Sequence, residues 1–164
     1  MKTVYAKAIL YSYSNLDRLC EAIDRHVEQR ALSSINDCSP AIEQYEKIIA
    51  HMAQKDLIYD LKAVVELILP MFSEEERSYI EYKYFKKQSD KGEVKPEFKT
   101  RKYYRRQIKL AEKFAKWLKL HGIDDKKFEE KYLKIDFFRQ LIRKVEEHEM
   151  QRAKNPRNSS KKVA

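Results

Sequence analysis

The chain has 164 residues, enough for one domain or for a small domain with an appended helical region. Its two glycines and four prolines are too few for the closely spaced turns of a β-rich fold, so an all-α helical bundle is expected, and 43% hydrophobic residues suffice for its core. The net charge of +9 is concentrated: residues 86–119 hold 13 basic and 4 acidic groups, residues 1–85 hold 10 and 14, and residues 120–164 hold 12 and 8. Such asymmetry is the electrostatic signature of a nucleic-acid or anionic-surface binder.

Along the chain, the segment to Tyr13 reads equally as a short helix or a strand. "MKTVYAKAILYSYSN" is not a signal peptide, because Lys7 interrupts the apolar run and no small-residue cleavage site follows. Ser14 or Asn15 then caps a helix carrying Leu16, Leu19, Ile23 and Val27 at helical spacing. "SSINDCSP" is a loop, and Ser39-Pro40 opens the next helix with a cap and a first-turn proline. Apolar residues from Tyr45, Ile48, Ile49 and Met52 through Leu61, Val65 and Ile68 line that helix. It ends near Leu69-Pro70, with an optional break at Gln54-Lys55.

"FSEEERSYIEYKYF" starts another helix. Ser73 is its cap, Glu76 completes a capping box, and Tyr79, Ile80, Lys83 and Tyr84 form its buried side. "KKQSDKGEVKPEFKT" is a connecting loop. Thr100 caps a strongly basic helix that Gly122 stops. Asp124 or Asp125 begins the next, and 136 to about 151 forms a last amphipathic helix. The tail "QRAKNPRNSSKKVA" is basic, without apolar pattern, and reads as disordered. These boundaries give an N-terminal helical interaction region (1–70), a central segment (71–122), C-terminal helices (123–150) and a tail (151–164).

The basic helix carries the functional signal. At 100° per residue, Tyr103, Tyr104, Ile108, Leu110, Ala111, Phe114, Ala115, Trp117 and Leu118 gather on one broad side. Lys102, Arg106, Lys109, Lys113 and Lys116 align on the other, with Arg101 and Arg105 flanking them near the start. A solvated helix face is the plain reading of a charge run. Ordinary solvated helices interleave acids for i,i+4 pairs, however, and this one offers only Glu112. Arginines at its start favour phosphate oxygens and guanine edges. Gln107 can turn to either face. Tyr103 and Tyr104 are core by spacing, with base stacking as the alternative.

"FSEEERSYIEYKYF", a connector and then "TRKYYRRQIKLAEKFAKWL" together resemble the promoter-binding C-terminal domain (region 4) of bacterial sigma factors, and phage regulators of the RinA and ArpU type look similar. The resemblance covers roughly 70 to 120. It implies a sigma-like helix-turn-helix at 71–122 and a DNA-binding transcriptional regulator, bacterial or phage. It places Arg101, Lys102, Arg105 and Arg106 on phosphates and base edges, and Lys109, Lys113 and Lys116 continue that nucleic-acid face. Double-stranded DNA is the expected partner, with RNA polymerase or another protein, or a second copy of the chain, beside it. The connector departs from the pattern: it reads "SDKGEVKPEF", with Pro96 where the first helix of the motif has its interior. The alternative is therefore a non-enzymatic helical adaptor that uses the motif as a scaffold and binds an acidic protein.

Catalytic and metal chemistry find no support. His26, His51, His121 and His148 lie apart from Asp, Ser or Cys at catalytic spacing, and two glycines cannot build a phosphate-cradling loop. The acids of "FSEEER" suit a helix N-terminus. Cys20 and Cys38 read as small buried hydrophobes. No enzyme activity, cofactor, metal or membrane partner is expected, and the setting is cytoplasmic.

Overall fold

In this computed structural model the described residues are 1–33, 40–86 and 101–154, with side chains described for 102–151 of the last stretch. They are all-α, and no strand occurs among them. The helices are α1 (Thr3–Ser12), α2 (Leu16–Ser33), α3 (Ala41–Ile68), α4 (Glu74–Ile80), α5 (Arg101–Leu120), α6 (Asp125–Lys131) and α7 (Asp136–Lys154). The opening segment is thus helical rather than extended. A single turn at Tyr13–Asn15 separates it from α2.

The described residues fall into two compact units. Ser12 to Lys86 forms one, and Met1–Tyr11 joins the described residues beyond position 100 in the other.

In the first unit α2 and α3 run antiparallel. Lys55 reaches Asp24, and Lys62, seven residues later, reaches Asp17, seven residues earlier. Leu16, Cys20 and Ile23 of α2 and Ile58, Leu61, Val65 and Ile68 of α3 are buried. α3 is continuous; no break occurs at Gln54-Lys55. Pro40 occupies its N-cap position with extended ψ instead of sitting in its first turn, while Ser39 and Cys38 lie outside the described residues. After a short turn over Leu69–Met71, Ser73 caps α4. Its hydroxyl accepts from the Glu76 N–H at 3.3 Å, and the Glu76 carboxylate accepts from the Ser73 N–H at 3.0 Å. The helix then widens into a π-type turn, Glu81–Phe85, where Tyr84 is buried and Phe85 packs its ring 4.8 Å from that of Tyr13. Ile80 and Tyr84 are buried as the periodicity predicts, and Tyr79 and Lys83 are half-buried.

In the second unit an aromatic cluster forms the centre. Phe128 lies between Tyr5 (4.7 Å) and Tyr132 (5.4 Å), and Phe138 meets both Phe128 and Tyr132 edge-on. Lys2 and the Tyr5 hydroxyl converge on one oxygen of Glu129, each at 2.7 Å, and Lys7 pairs with Glu149. Two hydrogen bonds close the end of α5. The Gly122 N–H reaches the Lys119 carbonyl (3.1 Å), and the Ile123 N–H reaches Leu118 (2.9 Å). Gly122 takes φ 79°, which leaves the buried Ile123 beside the buried Leu118. Asp124 then caps α6, accepting from the Lys127 N–H at 2.8 Å. The tail expected as disordered from 151 does not begin there: α7 continues through Lys154, because helical hydrogen bonding carries on past the last apolar position. Position 100, expected to cap α5, and the rest of the tail, 155–164, lie outside the described residues.

Candidate nucleic-acid interface

α5 is about 30 Å long at 1.5 Å per residue. Its buried stripe is Tyr103, Gln107, Leu110, Ala111, Phe114, Ala115 and Leu118, spaced by threes and fours. Two residues expected in the core stand outside it: Tyr104 is 39% and Ile108 52% exposed. The stripe centres on the line through 103, 107, 110, 114 and 118. Ile108 falls about 120° away from that line and Tyr104 about 80°, near the exposed start of the helix. Trp117 is half-buried. Gln107 takes the core position between Tyr103 and Leu110, one of the two orientations that the sequence allows.

The cations occupy the remaining surface. Lys102, Arg105, Lys109 and Lys116 are exposed, and among the described residues none of the four forms an ion pair. Glu112 is exposed and makes no ion pair there either. Arg106 and Lys113 are half-buried, and each takes part in an interaction within the chain. Arg101 begins the helix. From Lys102 to Lys116 the face spans about 21 Å. Several carboxylates of the second unit are engaged elsewhere: Glu129 with Lys2 and Tyr5, Glu149 with Lys7, Asp136 with Arg139 and Gln140.

An exposed row of this kind repels itself in water at low ionic strength, and each cation is hydrated and available. A phosphate backbone placed along the row replaces that repulsion with several attractive contacts and releases condensed counterions. Arg105 adds a planar fork able to take two phosphate oxygens. Tyr104 sits at the border of the row with its ring edge-on to Tyr103 at 5.5 Å. Tyr103 is buried, so base stacking by this pair falls to Tyr104 alone.

The two segments that carry the sigma-factor resemblance belong to different compact units, α4 with its π-type turn to one and α5 to the other. The connector, including Pro96, lies outside the described residues.

Beyond α5, the structure brings together a pair that the sequence does not announce. His26 of α2 and His51 of α3 face each other with ring centroids 4.9 Å apart. Arg30 Nε donates to His26 Nε2 (3.1 Å), and His51 Nδ1 lies 2.6 Å from the Lys47 carbonyl. The signal for this pairing is the antiparallel register itself, in which 24 meets 55 and 17 meets 62. His121 is exposed near Trp117, and His148 is exposed. Among the described residues no three His, Cys, Asp or Glu side chains group to hold a metal ion, and no helix is long and apolar enough to cross a membrane. Cys20 is buried, which raises its thiol pKa.

Set against family models, curated proteins and solved structures, the chain matches none of them.

Proposed function

We propose that this protein is a cytoplasmic, non-enzymatic DNA-binding transcriptional regulator that lays the outward face of α5 along the duplex. One observation carries the reading: Lys102, Arg105, Lys109 and Lys116 share a face with no carboxylate paired to them among the described residues. Lysines supply position-holding contacts to phosphate, and the arginines at the start of the helix supply the forks that can also read a guanine edge. The sequence also assigns Arg101, Arg106 and Lys113 to this face, but Arg106 and Lys113 are half-buried and already take part in interactions within the chain, so the four exposed cations carry the contact. The sequence likeness to sigma-type and RinA/ArpU-type regulators supports a promoter or operator as target and RNA polymerase as a second partner. A homodimer would let two copies address paired half-sites.

A second reading has its own observation. The two segments of the sigma-like motif fall in separate compact units. A helical adaptor that presents α5 to an acidic protein needs only this one helix.

A gel-shift titration on nonspecific duplex separates the readings. DNA binding by four phosphate contacts predicts that log affinity falls with log salt at a slope of about −3.6, roughly −0.9 per contact. Replacing Lys102, Arg105, Lys109 and Lys116 together by Gln should abolish that slope. Lys144→Gln, an exposed change on α7, should leave it intact. Affinity and slope that survive the quadruple substitution would reject the DNA reading.

A further inference from the structure

α3 carries two apolar stripes, and only one is covered. Ile58, Leu61, Val65 and Ile68 are buried in the first unit. A second row runs Ile42, Tyr45, Ile49, Met52, Asp56, Tyr59 and Ala63, at successive steps of three, four, three, four, three and four. Every member is exposed, with the five large apolar residues between 47% and 74%. Single exposed hydrophobics are ordinary on a protein surface. A row that holds a strict seven-residue repeat over three turns-of-seven is the pattern by which one helix seats another, knobs into holes.

The charges beside this seam describe its occupant. All three lysines of α3 already have carboxylate partners: Lys47 with Glu43, Lys55 with Asp24 and Lys62 with Asp17. Three of its acids have none among the described residues: Asp56, within the seam, and Glu46 and Asp60, along one flank. The face is therefore apolar with an acidic edge. A second copy fits it badly. In a parallel, in-register pairing, Asp56 meets its own counterpart at the centre of the contact. In an antiparallel pairing centred near Met52, Glu46 of each copy lies against Asp60 of the other. Like charges at such positions select against the pairing.

We infer that the outward seam of α3 is a docking face for one amphipathic helix of another protein, apolar along a matching seam, with Lys or Arg on the flank that meets Glu46 and Asp60 and a hydrogen-bond donor opposite Asp56. The seam from Ile42 to Ala63 is about 32 Å long, so the partner helix offers about three heptads. Apolar knobs supply most of the affinity, and the acids select the partner. This surface is independent of the α5 face, and its partner is a protein.

The test uses the full chain and two fluorescent synthetic peptides of the length of α3. Both have a leucine and isoleucine seam; one has Lys at the flanking positions, the other Gln. Anisotropy should show the Lys-flanked peptide binding about tenfold more tightly than the Gln-flanked one. Ile49→Asn with Met52→Asn should remove binding of both. Glu46→Lys with Asp60→Lys, which leaves the apolar seam intact, should bring the Lys-flanked peptide to or below the affinity of the other. The inference is overturned if the Lys-flanked peptide fails to bind, or binds either double variant as tightly as the unaltered chain. It is equally overturned if sedimentation finds a dimer that Ile49→Asn with Met52→Asn dissociates, because the second copy is then the occupant.

Discussion

The Lys55 ammonium sits 2.6 and 2.7 Å from the two carboxylate oxygens of Asp24, and Lys62 repeats the arrangement on Asp17 at 2.7 and 2.9 Å. The two pairs fix the register of α2 against α3 at two points seven residues apart. Both lysines hold their protons more tightly in the folded chain, first because of the hydrogen bonds to these aspartates. A group with a raised folded pKa contributes stability that is full below the unfolded value, about 10.4 for lysine, and is lost as pH rises through the folded value.

Thermal unfolding followed by circular dichroism should therefore show a midpoint whose decline with rising pH steepens once the pH passes about 10.4. Tyr5 and Tyr13, whose hydroxyl pKa values are raised chiefly by burial, push in the same direction. The double variant Asp17→Asn with Asp24→Asn should be less stable near neutral pH and should decline less steeply at high pH, because only the shares of Lys2, Cys20 and the two tyrosines remain. Parallel profiles for the two proteins would show that these pairs contribute nothing to folding.

Phe128 is fully buried and makes ring contacts with three other aromatics. Its replacement by alanine removes the centre of the second unit's core and leaves a cavity among large rings that cannot collapse to fill it. Urea denaturation should show a loss of about 3–5 kcal/mol. Tyr104→Ala, on the exposed border of α5, should change stability by less than about 1 kcal/mol. Comparable losses at the two sites would mean that burial does not rank the aromatic residues of this unit.

Local signals were the legible ones. Ser73 and Glu76, Asp124, and Gly122 each state a helix boundary through chemistry confined to a few neighbouring residues, and the structure places a capping box, an N-cap and a left-handed C-terminus there. The buried and charged sides of α5 were legible for the same reason, since a single apolar stripe defines its own direction. α3 was not. With apolar residues on two sides, periodicity identifies stripes without saying which one faces the core; Ile58, Leu61, Val65 and Ile68 are the buried ones, and Tyr45, Ile49 and Met52 stand at the surface. Tyr104 and Ile108 fail at a smaller scale, at the margin of a stripe whose centre Gln107 shares. The His26–His51 contact depends on the register of two helices separated by a loop, and no spacing within either helix encodes that register.

Gly122 allows a clean measurement of one such local signal. Its φ of 79° lies where side chains are strained, yet a Cβ built there would meet no other atom within 4 Å. The cost of Gly122→Ala is therefore backbone strain alone, about 1–2 kcal/mol, offset by about 0.4–1 kcal/mol from the smaller entropy of the unfolded chain. A net loss of about 1 kcal/mol by urea denaturation is expected. Gly122→Asn should lose less, because asparagine enters the left-handed region more readily. If alanine were harmless, the turn after Leu120 would have to re-form without the Ile123-to-Leu118 hydrogen bond. Amide exchange at Ile123 detects that change directly, since its N–H is protected only while the left-handed turn persists.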